Sequence, residues 1–138
     1  MMLPAYTILL DAHGLSSLAD ESKSMREWVA WAIRTGSEFH ISALTLAETT
    51  DGTPRDARVR REAKALVIES VTPDVGYRAG ALRAKAVRIR RKPRDLTVDS
   101  VVAATALTLR PPVVVLTSDK PDFDLLLGGT GIIVEPLT

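Results

Sequence analysis

Five carboxylates fall where an alternating α/β chain does chemistry: Asp11, Glu48, Asp99, Asp119 and Asp122. Asp11 ends the apolar run 5–10, Ala-Tyr-Thr-Ile-Leu-Leu. Glu48 lies one helical turn beyond Leu44. Asp99 opens the apolar stretch 97–109, and Asp119 and Asp122 follow the run 113–116. In an open α/β sheet, ligands bind in the crevice outside the carboxyl ends of the strands. Carboxylates gathered there repel one another, and a cation relieves the repulsion. An all-oxygen donor set suits Mg²⁺ and accepts Mn²⁺. One or two such ions polarise a phosphoryl oxygen, make a nucleophile of bound water and stabilise a leaving 3′-oxygen. The chemistry would be phosphodiester hydrolysis.

Each acid also has a purely structural reading. Asp11 can bind backbone amides in the turn after a strand. Glu48 can be a solvated helix residue. Asp99 suits a first helical turn, where the helix dipole favours an acid. Asp119 and Asp122 can be the N-cap and N3 acids of a helix opened by Pro121. The metal reading rests on all of them falling at equivalent places.

The elements that must position these acids follow from periodicity. Residues 5–10 read as a buried parallel strand, followed by a short helix over 15–19. Ser24 and Glu27 form a capping box for a helix with Met25, Trp28, Val29 and Ala32 on one face, ended by Gly36. Trp28 and Trp31 read as core residues rather than base-stacking ones. A strand over 38–41 follows, in which His40 reads as structural. Ser42 then caps a helix over 43–49. Pro54 opens a helix to about 65, and 69–71 reads as a short strand. Pro73 begins the longest helix, to about 91, with Val75, Ala79, Leu82, Ala86 and Ile89 at helical spacing. Gly76 and Gly80 inside it cost ~1 kcal/mol each relative to alanine, which close backbone packing would explain. Lys92-Pro93 breaks the chain. The helix over 97–109 is apolar nearly all round and so buried. A strand over 113–116, a helix ending at Gly128-Gly129 and an edge strand over 132–134 complete the chain. Asp95 reads as a loop or capping residue. The order β-α-α-β-α-α-β-α-α-β-α-β predicts a mainly parallel sheet with helices on both faces, in one domain over 1–138.

Composition narrows the class. Hydrophobic residues make up 46% and charged residues 25%, as in ordinary soluble domains. Cysteine is absent, which excludes disulfides, thiolate metal sites and thiol nucleophiles and suits the cytoplasm. No apolar run approaches the ~20 residues of a membrane span, and the first residues lack the basic region of a signal peptide. The formal charge of +1 hides a segregation. Residues 1–54 carry 3 basic and 7 acidic side chains, residues 55–94 carry 13 and 4, and residues 95–138 carry 2 and 6. An acidic focus beside a basic surface suits a phosphate-bearing polymer bound near metal ions. An arginine-rich solvated helix face is the plainer reading.

The segments Thr7-Ile-Leu-Leu-Asp11, Ile41-Ser-Ala-Leu-Thr-Leu-Ala-Glu48, 96–106 and 115–123 resemble, in this order and spacing, the motifs of PIN-domain ribonucleases of the VapC toxin type. The resemblance spans nearly the whole chain, including 79–84 and 134–137. It implies a PIN-like three-layer α/β/α fold. It also implies a Mg²⁺-dependent endoribonuclease, usually dimeric, that a cognate antitoxin holds inactive. Asp11, Glu48 and Asp99 match the family's first three acids. Asp119 matches the fourth, with Asp122 as a second ligand or the residue that orders the turn. Asp11, Asp99 and Asp119 would ligate the ion directly, and Glu48 directly or through water. Thr117 would stand beside the metal. His13 stands where the family carries Ser or Thr, either taking that hydroxyl's place on a phosphate or serving as a surface imidazole. The basic helices would hold RNA, and some of their arginines would meet an acidic antitoxin segment.

Two rivals remain. A phosphatase or phosphotransfer domain would use Asp11 as nucleophile, but such phosphatases want a second acid where His13 stands. A non-catalytic nucleic-acid-binding module would keep its RNA after Asp11→Asn.

Overall fold

The computed structural model describes residues 5–89 and 95–138. The expected alternation is observed: β1 (Thr7–Leu10), α1 (Ala12–Ala19), α2 (Lys23–Thr35), β2 (Glu38–Ser42), α3 (Ala43–Thr49), α4 (Asp56–Ala63), β3 (Val67–Glu69), α5 (Pro73–Ile89), α6 (Thr97–Ala106), β4 (Val113–Thr117), α7 (Lys120–Leu127) and β5 (Ile133–Pro136). The sheet is parallel throughout, in the order β3-β2-β1-β4-β5. The chain therefore lays strands outward from β1 in one direction, then resumes on its other side with β4. Right-handed crossovers put the helices of the first half on one face and those of the second half on the other. The result is the three-layer α/β/α arrangement.

Strand residues alternate between two cores. Ile8, Leu10, Ile41, Val114 and Leu116 meet α1, α2 and α4 through Leu15, Met25, Ala32 and Val59. Leu9, Val113 and Val115 meet the other layer through Ala86, Val102, Ala103, Phe123 and Leu126. Phe123 is fully buried, and truncating such a side chain to alanine costs ~3–5 kcal/mol. Ser100 and Val102–Ala106 are all buried, so α6 is enclosed as its composition implies.

Several expected boundaries move for local reasons. The N-cap of α2 is Ser22, not Ser24, because the Ser22 hydroxyl accepts from the Met25 N–H at 3.2 Å. Gly36 ends this helix with φ +68°, a left-handed position suited to glycine. Pro54 lies in a turn ahead of α4, since the Asp56 carboxylate draws in the Asp51 and Gly52 amides at 3.1 and 2.8 Å. β3 forms two residues earlier than expected, with His40 paired to Val67 and Ser42 to Glu69. The glycines of α5 are not there for close packing: a Cβ at Gly76 or Gly80 would meet nothing within 4 Å. Ile89 is exposed rather than on the buried stripe. The expected end of this helix near Arg91 and the break at Lys92-Pro93 lie outside the described residues. Among the described residues no helix is long and apolar enough to cross a membrane.

Candidate active site

The strand order reverses at β1, so the crevice of this sheet opens between the carboxyl ends of β1 and β4. Asp11 follows β1 directly. Its backbone N–H reaches the Leu116 carbonyl of β4 at 3.4 Å, which fixes it on that seam. Its side chain caps α1, one carboxylate oxygen accepting from the Gly14 N–H at 2.8 Å. The structural role foreseen for Asp11 is thus real. It does not account for the rest of the carboxylate's surroundings.

The Thr117 hydroxyl also hydrogen-bonds to the Asp11 carboxylate. The same hydroxyl accepts from the Asp119 N–H at 2.8 Å. Thr117 is fully buried at the last position of β4. One hydroxyl therefore links the acid after β1 to the backbone of the acid after β4. Asp119 stands at the N-cap position of α7, yet its side chain makes no capping bond, so capping does not explain its type.

Burial pushes the Asp11 carboxyl above its usual 3.8, and the charge of Asp119 pushes the same way. The hydrogen bonds from Thr117 and Gly14 and the nearby His13 oppose the shift without cancelling it. Glu48, exposed near the end of α3, is raised too, first by burial of its carboxyl and then by Asp11. Asp11, Asp119 and Glu48 thus share one electrostatic field, delivered by two strands and a helix. Acids that raise one another's pKa mark a place short of positive charge.

The other two acids open the helices α6 and α7. Asp99 is half-buried in the first turn of α6, a helix that packs against α3. The charges that act on Asp11 include those of His13 and Asp119. Asp122 is buried in the first turn of α7, its N–H donating to the Asp119 carbonyl at 3.1 Å. Among the described residues, no three acidic or imidazole groups stand in an arrangement that would by itself grip a metal ion. The donor chemistry still fits a hard divalent cation: carboxylates only, mutually repelling, at a sheet's switch point.

His13 is exposed on the first turn of α1, two residues from Asp11. His40 is structural, as read: its Nδ1 meets Glu69 Oε1 at 2.9 Å and its Nε2 meets Glu38 Oε1 at 3.4 Å. Asp95 is the expected loop acid, accepting from the Thr97 N–H at 2.9 Å and from its hydroxyl at 2.5 Å. Sequence reasoning missed Gly14. A Cβ there would lie 3.0 Å from Leu10 Cβ and 3.2 Å from Leu10 Cδ2, so glycine lets α1 press onto β1 without displacing Leu10 while its amide holds Asp11. The signal was present in Asp11-Ala-His-Gly14.

The basic surface is partly spoken for. Arg55, just ahead of α4, and Arg58 within it reach Asp20 at 3.9 and 3.7 Å, and Arg61 reaches Glu62 at 3.9 Å. On α5, Arg83 donates to the Thr97 hydroxyl at 2.8 Å, at the start of the helix that carries Asp99.

The PIN-domain family model matches residues 8–124. No curated protein sequence gives a significant match. Solved structures do. A VapBC2 structure from Rickettsia felis, bound to a DNA fragment from its promoter, aligns with TM-score 0.73 at 14% identity, covering 96% of this chain and 99% of the other. A DNA-bound VapBC structure from Salmonella typhimurium aligns with TM-score 0.70 at 21% identity, covering 99% and 98%. A toxin–antitoxin complex from Klebsiella pneumoniae aligns with TM-score 0.65 at 21% identity, covering 92% and 96%. At such identities the likeness is one of fold. The family match spans most of the chain, including the seam that carries Asp11 and Asp119, and on that match the chain belongs to the PIN-domain family of nucleases.

Proposed function

We propose that this protein is a divalent-metal-dependent endoribonuclease, the VapC-type toxin of a toxin–antitoxin pair, in a single domain over 1–138. The observation that carries the reading is the shared field of Asp11, Asp119 and Glu48 at the switch point of a PIN fold. Asp11, Asp119 and Asp99 would hold Mg²⁺, or Mn²⁺ in its place, with Glu48 a ligand directly or through water. Asp122 orders the turn that presents Asp119 or adds a further ligand. The ion, when bound, supplies charge to the phosphodiester and lowers the pKa of its water.

The chain's own residues do the rest. Thr117 keeps Asp11 and Asp119 in mutual register. Gly14 fixes the Asp11 rotamer through its amide. Without an ion the raised acids take up protons more readily, so competence should fall on the acidic side. The exposed cations of α5, among them Arg78, Lys85 and Arg88, would follow an RNA backbone, and binding should weaken steeply with salt. An antitoxin partner is supported by the fold's likeness to a toxin–antitoxin complex. A homodimer would cover exposed apolar residues such as Val71 and Tyr77, the latter 81% exposed.

The test is cleavage of mixed RNA by purified protein, with Mg²⁺ and with EDTA, beside Asp11→Asn and Asp99→Asn. Cleavage is expected only from the parent protein with metal. Activity that persists in EDTA, or that survives both substitutions, contradicts the proposal.

A further inference from the structure

The crossovers leave part of one face bare. Helices α1, α2 and α4 serve the β1–β3 half of the sheet, while the connections through β4 and β5 run over the opposite face. On the first face α1 reaches β4, and Trp28 and Trp31 of α2 line one space with Val114 of β4 and Ile133 of β5. A groove of about 560 Å³ lies there, within the range of ~300–1,000 Å³ common for ligand pockets. Tyr6, Trp28 and Trp31 form one wall, and Ile133, 39% exposed, is part of the floor. The Trp31 ring stands 5.3 Å from Tyr6 and 5.5 Å from Trp28, centroid to centroid, the two indoles edge to face.

Two carboxylates, Glu27 and Glu135, line the same groove, and among the described residues no lysine or arginine does. Neither carboxylate takes part in a described ion pair or side-chain hydrogen bond. Aromatic faces attract a cation that carries its own apolar surface. A planar guanidinium stacks on indole and meets carboxylates with paired N–H groups, which an ammonium cannot do. Charge and shape therefore select the same occupant. We propose that this groove binds an arginine side chain presented by an extended segment of another polypeptide. β5 ends the sheet, so an extended segment has an open strand edge beside the groove. Tyr6 precedes β1 and Asp11 follows it, ~17 Å apart along the strand. The site is thus separate from the acids of the switch point and does not depend on the nuclease reading.

Both tryptophans of the chain line the groove, so intrinsic fluorescence reports on it directly. The full chain is titrated with the peptide acetyl-Ala-Arg-Leu-Arg-Ala-amide and with its lysine and glutamine counterparts. A saturable fluorescence change is expected with the arginine peptide, a weaker one with lysine, and binding weaker by roughly tenfold or more with glutamine. The Glu27→Gln/Glu135→Gln protein, its fold checked by circular dichroism, should lose a similar factor. No saturable change, equal binding of the glutamine peptide, equal binding of the lysine peptide, or unchanged affinity of the double variant overturns the proposal. So does sedimentation showing that a second copy of the chain fills the groove and blocks the peptide.

Discussion

Two groups of ionisable side chains sit on this sheet and are built from nearly the same parts. At the β2–β3 edge, His40 is held between Glu69 at 2.9 Å and Glu38 at 3.4 Å. At the β1–β4 seam, Asp119 raises Asp11 and Asp11 raises Glu48, with His13 opposing at Asp11. The first group is closed: both imidazole nitrogens meet a carboxylate, and the edge strand is tied to its neighbour. The second is open: burial and like charge lift its acids, and its imidazole is an exposed one. Residue type alone does not separate a structural cluster from a chemical one. What separates them is that burial and like charge raise the acids of the second group, as at Asp11 and Glu48.

The largest effect should come from neutralising the open group. Asp11→Asn keeps a capping oxygen for α1 but removes the charge, and RNA cleavage should fall about 10³-fold, corresponding to ~4 kcal/mol of lost transition-state stabilisation. Retained cleavage in single-turnover assays would erase the distinction drawn between the two groups. Thr117→Val should come next. It leaves the Asp119 N–H without its acceptor and Asp11 without its donor, costing ~1–3 kcal/mol of stability and about 10-fold or more in rate, whereas Thr117→Ser restores both. Equal loss in the serine variant would mean that the hydroxyl is not what matters.

The pH dependence sharpens the same contrast. Asp11 titrates in the folded protein above its usual 3.8, mainly through burial. A raised acid contributes stability that is complete below that unfolded value and lost as pH climbs through the raised one. In EDTA, Asp11→Asn should therefore gain in melting temperature relative to the parent protein as pH rises past 3.8 towards neutrality. A constant difference across that window would show that the carboxyl is not perturbed. The closed group should matter to folding and not to cleavage. His40→Ala should cost ~1–2 kcal/mol in denaturant unfolding and leave cleavage per folded molecule unchanged. The smallest effect is expected outside both groups: Gly76→Ala and Gly80→Ala should each stabilise by ~0.5–1 kcal/mol, since the added methyl meets nothing within 4 Å.

The layers and the parallel sheet were legible because continuous apolar runs such as 113–116 alternate with helical stripes such as Val75, Ala79 and Ala86. Helix starts were less so. Ser22 and Ser24 are equally good caps in sequence, and only the approach of the Met25 amide decides between them. Pro54 looked like a first helical residue until Asp56 was seen gathering the turn before it. The glycines of α5 suggested tight packing, but a glycine's reason depends on neighbours distant in the chain. The same holds for the acids. Sequence spacing put Asp11 and Asp119 after neighbouring strands, and the fold joins them through Thr117. Asp99 comes from the first turn of α6, a helix that packs against α3.

The central claim, that the open group is short of a divalent cation, is tested most directly by calorimetric titration of the metal-free protein with Mn²⁺. Saturable binding is expected, raising the melting temperature, and it should be lost in both Asp11→Asn and Asp119→Asn. Absence of binding, or binding that both variants retain, would contradict it.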